Sequence, residues 1–576
     1  MIQVPELATE EVICQNFKSF GLIALLLIAL VLPFGHQKLR SLEKAFNQFA
    51  RQKKLSILLV GLLAFVGAAA VSFIFYWPIA YVPDELSYLL ASDTFSHGRL
   101  TNPPHPMWVH FETFYVLQQP TYMSKYPPGQ GLILALGQVL TGYPILGVWL
   151  SMALACAAVC WMLQAWLPPK WALLGSLIMV LQLALFSYWS QSFWGGAVAT
   201  IGGAILLGAL RRIIKKPKML NAILFAIGLG ILANSRPYEG FLFCLPAIVY
   251  LLFWMKGKHA PSFNILLKGI ILPLLGALLV IGSMMGYYNY VITGKAWVMP
   301  FQLYENIYAN VSNFLWSKPR QVQFNHKEFE HIAQQMFVSL YNSNKGISNF
   351  LSFSLFKLKN LWAFFLGVSF SILLIALPLL RKNFWVRFAL VNIVVLLIGM
   401  LQVLISFPHY AAPATCLVYF LVLQSMRRIY FFQWQNRHIG QLMVWAVPIY
   451  FILLVSLPVS LKVDPYVYVN PAYWEIPKAY LPTWMAKRQE IISRLKEGET
   501  DKYLILVKYL PGIRIHNEWV YNDADIDNSR VIWARSMSYE KDCKLIKYFS
   551  SRKVIFLELG DEPDVIKKYY TIKGCE

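Results

Sequence analysis

Carboxylates are scarce in the first half of this sequence. Between residues 55 and 300 there are five, and four of them, Asp84, Glu85, Asp93 and Glu112, fall in one stretch. Asp84 and Glu85 stand together in Tyr81-Val82-Pro83-Asp84-Glu85-Leu86, directly after an apolar run. Two readings of the pair compete. Pro83 fits the first turn of a helix, where acids are favoured by the helix dipole, and the pair is then structural. Alternatively, a carboxylate held at a membrane surface beside a lipid-facing cleft serves as a general base or a metal ligand.

The same stretch continues through Thr101-Asn102-Pro103-Pro104-His105-Pro106 and Lys125-Tyr126-Pro127-Pro128-Gly129-Gln130-Gly131. Prolines and glycines at this density exclude one continuous helix and point to a packed, turn-rich element. His105, His110 and Glu112 offer metal-ligand chemistry, but their spacing matches no established ligand pattern, so hydrogen bonding is the simpler role. Lys125 reads either as a phosphate partner or as an interfacial lysine reaching for water. Two further polar insertions interrupt apolar runs: Asn234-Ser235-Arg236-Pro237-Tyr238-Glu239 and Phe407-Pro408-His409-Tyr410. An unpaired arginine near lipid is costly, by ~2.5 to 3.5 kcal/mol at mid-bilayer. Arg236 is satisfied either by Glu239 or by converging with Lys125 and His409 on an anionic lipid headgroup.

A membrane bundle must hold these residues. Of 576 residues, 57% are hydrophobic and 14% charged, outside the usage of soluble domains. Apolar runs able to cross a hydrocarbon core of ~30 Å recur up to residue 461. Spans are expected near 19–34, 55–77, 145–167, 171–190, 195–210, 219–234, 238–255, 264–290, 360–380, 384–406, 411–426 and 440–461. This describes an all-α polytopic core of about 11 to 13 transmembrane helices over residues 1–461. The first run reads as a helix rather than a signal peptide, because Glu6, Glu10 and Glu11 flank it and no small-residue cleavage site follows Phe34.

The net charge of +22 does not mark a nucleic-acid partner, because the basic residues gather in short loops between apolar runs. These are Lys38 to Lys54, Arg211 to Lys218, Lys256 to Lys268, Arg381 to Arg387 and Arg427 to Arg437, and they read as cytoplasmic. Counting Gly129 to Thr141 as a span would push Arg211 to Lys218 outside, so that short run is expected to be interfacial or re-entrant. The loop 78–144, the turn at 235–237, the loop 291–359, the turn at 407–410 and the tail from 462 then all lie outside.

That tail holds 17 of the 29 carboxylates, a composition shift that marks a second domain over 462–576. Strand-like runs at Tyr503 to Lys508, Val531 to Arg535 and Val554 to Leu559, with an amphipathic helix near Tyr539 to Phe549, predict a small α/β fold. Asn517-Glu518-Trp519 and Asp523-Ala524-Asp525-Ile526-Asp527 offer acceptor or calcium contacts, but the second lacks an EF-hand's glycine and terminal glutamate. It reads first as a solvated acidic turn. Cys543 and Cys575 can pair if the tail is extracytoplasmic; Cys156, Cys160, Cys244 and Cys416 lie in apolar runs as small hydrophobes.

Taken together, Asp84-Glu85-Leu86 after an early helix, Lys125-Tyr126-Pro127-Pro128-Gly129 before an apolar stretch, and the turn Ser235-Arg236-Pro237 resemble the GT-C membrane glycosyltransferases. That superfamily includes protein mannosyltransferases and lipid A aminoarabinose transferases, and the resemblance spans roughly residues 55 to 461. It implies an enzyme of a bacterial inner membrane that takes a sugar from a polyprenyl-phosphate carrier. The sugar would pass, with inversion, to a lipid, glycan or protein acceptor on the extracytoplasmic face. By position, Asp84 looks like the catalytic acid and Glu85 its partner. Lys125 and Arg236 look like phosphate ligands, with Tyr126, Tyr238, Glu239, His409, Tyr410 and His105 as further substrate contacts. Some relatives use a divalent ion, magnesium or manganese, so metal dependence stays open. One departure is an extra short helix before the one leading into the acidic loop, which leaves the side of the N-terminus open.

The chemistry agrees with that implication, since a departing lipid phosphate needs fixed cations and the acceptor hydroxyl needs a base. One base suffices for inversion, whereas a retaining double displacement needs two paired carboxyl groups. The alternative from another class is a lipid-linked sugar flippase, which should carry polar groups or broken helices near the midplane of two repeated halves. No such repeat is visible, and the polar motifs sit at helix ends. A noncatalytic scaffold would leave Asp84 to Arg236 without a role.

Overall fold

The computed structural model describes residues 9–31, 36–258, 260–435, 437–462, 481–497, 501–512, 515–560 and 566–572. Among them, seven helices are long and apolar enough to cross a membrane: Lys53–Ile74, Ile145–Trp166, Ala197–Lys215, Pro237–Lys256, Phe263–Thr293, Phe384–Leu401 and Ile439–Ser460. The pair Ile347–Phe365 and Gly367–Leu380 passes the same test jointly but is bent by 81°. Shorter apolar helices cover Asn16–Ile28, Pro169–Ala184 and Met219–Ala233. The chain is an integral membrane protein, with backbone groups satisfied inside helices where no water can reach them.

The outward faces of these helices are apolar where a soluble protein's would be polar. Leu58, Leu62, Val66 and Phe73 on one helix, and Leu272, Leu275, Leu279 and Met284 on another, are exposed. Lipid is the solvent that suits such surfaces. The basic ends meet at one end of the bundle. Lys170 pairs with Glu43 at 2.9 Å, Tyr430 donates to the same carboxylate at 2.6 Å, and Lys215 lies within electrostatic reach of Lys53, Arg211 and Arg212.

The expected spans differ from the observed helices at several points. The stretch expected as a basic loop from Lys38 forms a helix, His36–Arg51, followed at once by Lys53–Ile74. The span expected at 360–380 straddles a break, because the chain bends between Phe365 and Gly367, whose φ of +53° only glycine adopts cheaply. Its first limb begins at Ile347, within a serine- and lysine-bearing stretch whose polarity hides it from a hydropathy reading. The run Gly129 to Thr141 lies in a 14-residue helix, Pro128–Thr141, which at 1.5 Å per residue is about 21 Å long. That length falls short of a hydrocarbon core.

After Leu481–Glu497 come four strands in the spatial order Val531–Arg535, Tyr503–Tyr509, Lys553–Leu559, Ile566–Ile572; the first three are parallel and the last is antiparallel. The helix Tyr539–Tyr548 supplies the crossover between Val531–Arg535 and Lys553–Leu559. The three predicted strands and this helix are present. The Leu481–Glu497 helix and the Ile566–Ile572 strand were not expected, the latter because Lys567 and Lys568 interrupt its apolar alternation. Side chains alternate between two buried faces. Leu504, Leu506 and Ile532 pack with Leu545, Phe549 and, from the first loop, Phe111 and Tyr122. Ile505, Val507 and Trp533 pack with Trp519, Phe114 and Phe329.

The sheet is also hydrogen-bonded to that loop. Tyr122 donates to Asn522 O at 3.1 Å, Tyr521 donates to Phe114 O at 3.2 Å, and the Ala524 N–H donates to Asp93 at 2.7 Å. At its centre Arg535 forms a buried ion pair with Glu518 and donates to Glu112 O at 2.8 Å, while its guanidinium lies 4.1 Å over Phe329. Glu518 is thus a structural anion rather than a free acceptor contact. Cys543 is disulfide-bonded, and Cys575 lies outside the described residues.

Removing one member of a buried pair strands the other charge, at a cost of about 3 to 5 kcal/mol. Glu518→Ala is therefore expected to destabilise the C-terminal unit by that order, read by tryptophan fluorescence during urea unfolding. Wild-type unfolding in the variant would contradict the pairing.

Candidate active site

Pro83 opens the Pro83–Ser96 helix, and the two acids that follow take different directions. Successive helical residues point about 100° apart, which here sends the two carboxylates to different surroundings. Glu85 turns inward and is 0% exposed. It accepts the N–H groups of Tyr81 at 2.7 Å, Val82 at 3.2 Å and Phe193 at 2.9 Å, the carboxylate half of a capping box extended to a second segment. Burial pushes its pKa up to about 7 against the pull of these three donors. Asp84 is half-buried and lines a cavity of about 1190 Å³, where the Tyr126 hydroxyl donates to its Oδ1.

The turn-rich loop carries Lys125 to the same cavity. Val116–Leu117 pairs antiparallel with Met123–Ser124, and Ser87 ties this hairpin to the helix by donating to Tyr115 O at 2.6 Å and sharing a 2.8 Å bond with Ser124. The Lys125 N–H then donates to Tyr115 O at 3.1 Å. Its ammonium lies 3.7 Å from the Tyr115 ring centroid, 4.8 Å from that of Tyr304 and 5.0 Å from that of Phe301. Aromatic faces replace part of the water this cation loses. Burial pushes its pKa down to about 8, opposed by the charges of Asp84 and Glu305.

Arg236 reaches the cavity because two backbones touch. The Gly129 N–H donates to Asn234 O at 2.8 Å, and a Cβ on Gly129 would stand 2.7 Å from that oxygen. Only glycine lets the Lys-Tyr-Pro-Pro-Gly element lie so close to the Asn-Ser-Arg-Pro turn. Arg236 caps the Pro237–Lys256 helix with its guanidinium 4.3 Å over the Tyr410 ring, and Glu239 lies within electrostatic reach. Tyr238 also lines the cavity and donates to Gly399 O at 3.2 Å.

The structure therefore brings Asp84, Lys125, Tyr126, Arg236, Tyr238, Glu239 and Tyr410 around one cavity, and leaves out three of the expected residues. Glu85 caps a helix. His409 is 1% exposed and engages the Tyr188 hydroxyl through Nδ1 at 2.9 Å, packing on Trp194 behind the cavity wall. His105 lies at the seam with the C-terminal sheet, where Nε2 meets Asp527 at 3.1 Å and Nδ1 accepts the Met107 N–H at 2.9 Å. Its presumed metal companions go elsewhere: His110 to Arg535 O at 2.8 Å, Glu112 to Asn325 at 2.9 Å and His326 at 3.2 Å. Among the described residues no three His, Cys, Asp or Glu side chains gather within reach of one ion. The groups nearest Asp84 are a phenol and an ammonium, a donor set that does not fit a divalent ion.

Two lining residues escaped the sequence reading. Glu305, on the Pro300–Tyr308 helix, accepts from Ser312 and from the Asn313 N–H, each at 3.3 Å, and burial raises its pKa. Lys357, on Ile347–Phe365, is 4% exposed. A lone acid in an aromatic segment and a lysine in a serine- and lysine-bearing stretch were the available signals. The cavity opens where its lining is exposed, at Phe241, Gln302 and Phe356, the two phenylalanines being 62% and 36% exposed.

No family sequence model matches the chain, and no curated protein sequence does. Among solved structures the chain is similar to ArnT from Cupriavidus metallidurans in the apo state, with 14% identity and a TM-score of 0.47 over 88% of this chain and 92% of that one. The same protein bound to undecaprenyl phosphate gives 12% identity and a TM-score of 0.45 over 87% and 92%. The apo oligosaccharyltransferase of Archaeoglobus fulgidus gives 12% identity and a TM-score of 0.42 over 78% of this chain. This chain spans 62% of the archaeal protein's length.

The two acids should separate in a stability measurement. Glu85→Ala leaves buried N–H groups unpaired, at about 1 to 3 kcal/mol, and is expected to lower the melting temperature. Asp84→Asn, which keeps the Tyr126 contact, is expected to melt like the wild type. Unchanged melting of Glu85→Ala would contradict the capping role.

Proposed function

We propose that this chain is a GT-C type glycosyltransferase that moves a sugar from a polyprenyl-phosphate donor to an acceptor hydroxyl, with inversion, on the extracytoplasmic side of the membrane. The observation that supports it is one cavity, opening beside exposed aromatic side chains on the bundle's outer surface, in which Asp84 shares the walls with Lys125 and Arg236. Asp84 is the general base. It takes the proton of the acceptor hydroxyl as that oxygen bonds to the anomeric carbon. The bond from that carbon to the phosphate oxygen breaks, and its electron pair leaves with the lipid phosphate.

Tyr126 engages one oxygen of Asp84 and so aims the other at the acceptor. Lys125 and Arg236 are placed for the charge that grows on the leaving phosphate. Glu85 faces away, which supports a single displacement over a double one. Tyr88, Tyr115, Tyr304 and Tyr410 give the sugar flat apolar faces with hydroxyl rims, the make-up of a small-ligand site. Residues 1–461 then form the membrane core and 462–576 an extracytoplasmic domain beside the cavity, to which Ile515 contributes.

Two measurements test this reading in proteoliposomes supplied with polyprenyl-phosphate sugars. Asp84→Asn is expected to lower transfer by about 100-fold or more, the scale of a lost general base, and full activity would overturn the assignment. Lys125 is cationic below its pKa of about 8 and neutral above it, so apparent affinity for the donor should fall as pH rises through that value. Lys125→Arg should hold its affinity across the same range. A donor affinity in wild type that does not change with pH would contradict the role of Lys125.

A further inference from the structure

Around Asp84 the charged groups lining the cavity do not balance for an anionic ligand. Lys125 lies within electrostatic reach of Asp84 and Glu305, and Arg236 of Glu239. Two cations there face three carboxylates. The remaining charged residue of the lining is Lys357. It is buried, its Nζ donates to Val403 O, and it lies 4.9 Å over the Phe353 ring. Among the described residues, no ion pair with a carboxylate engages it. A buried ammonium holds three donors and is expensive without a counter-charge. A carbonyl and an aromatic face leave that counter-charge to be supplied.

Its place in the wall says what kind of molecule supplies it. Lys357 follows Phe356, one of the two exposed phenylalanines at the cavity mouth, and Leu351 and Leu355 on the same helix are 54% and 66% exposed. A ligand whose apolar chain leaves past Phe241 and Phe356 has its headgroup beside Lys357. We infer that Lys357 is a third ligand for the phosphate of the lipid carrier, meeting the charge it carries before reaction, while Lys125 and Arg236 meet the further charge that grows on the same phosphate as it leaves. This rests on the proposed function and assigns its phosphate site. The competing role is structural: Val403 lies just past the end of the Phe384–Leu401 helix, whose last carbonyls favour a cation.

Binding to the full chain in nanodiscs separates these roles, with undecaprenyl phosphate, undecaprenol and inorganic phosphate as probes. Lys357→Met is expected to fold, since replacing a buried charge by an apolar group of similar length is well tolerated. It should bind undecaprenyl phosphate about 10-fold or more weakly than wild type, and undecaprenol equally well. Lys357→Arg should retain most of the affinity, and if the Met variant does not fold, Lys357→Gln carries the same comparison. Competition by inorganic phosphate in wild type but not in Lys357→Met would show that free phosphate occupies the same site.

Wild-type affinity of Lys357→Met for undecaprenyl phosphate, or an equal loss for undecaprenol, would overturn the inference. The first result together with an inactive Asp84→Asn would leave sugar transfer standing and remove only this ligand. Lys357-dependent phosphate binding by a wild type that transfers no sugar would keep the ligand and remove the transfer reading.

Discussion

Charge at the edge of a hydrocarbon core must be held by something other than water, and the rest of this site follows from how that is done. Six charged side chains line a cavity whose mouth is apolar. Each is held by a particular substitute for hydration: a phenol for Asp84, aromatic faces for Lys125 and Arg236, the Arg236 charge for Glu239, a serine hydroxyl and one backbone N–H for Glu305, a carbonyl for Lys357. These substitutes fix position as well as cost, because each partner belongs to a different segment of the chain. The tolerance for error is small, as the Gly129 contact with Asn234 shows, where one methyl group would collide with a carbonyl. A loosely hydrated surface would not demand such precision.

The C-terminal sheet belongs to the same arrangement. Its two buried faces take side chains from the loop that carries Asp84 and Lys125, and from the helix bearing Phe329. His105 and His110 are engaged in this seam, as is Glu112, whereas His409 is held by Tyr188. A loop rich in proline and glycine gains its fixed shape from a folded partner rather than from its own secondary structure. The sheet thereby serves the cavity without contributing a charged group to it.

The parts legible in the sequence were those governed by periodicity and by the cost of charge in lipid. Apolar length showed most of the spans, and the scarcity of polar residues singled out Asp84, Lys125 and Arg236, which the structure brings to one cavity. Alternating strands and their crossover helix were readable because side-chain period differs between the two elements. Direction was not readable. The adjacency of Asp84 and Glu85 suggested a pair, whereas helix geometry sends one to the cavity and the other to three backbone donors. His409 and Tyr410 are neighbours with opposite fates for the same reason. Glu305 and Lys357 were hidden by context, one in a segment with no motif and one in a serine- and lysine-bearing stretch before the break at Gly367.

The central claim is that this cavity receives a lipid phosphate from the membrane and holds it opposite Asp84. An experimental density map of the full chain in nanodiscs with undecaprenyl phosphate bound tests it most directly. The account predicts the phosphate inside the cavity, with at least one of Lys357, Lys125 and Arg236 at hydrogen-bond distance, about 3 Å, and the apolar chain leaving between Phe241 and Phe356. A phosphate bound at the basic end of the bundle, or a lipid that bypasses the cavity, would contradict it.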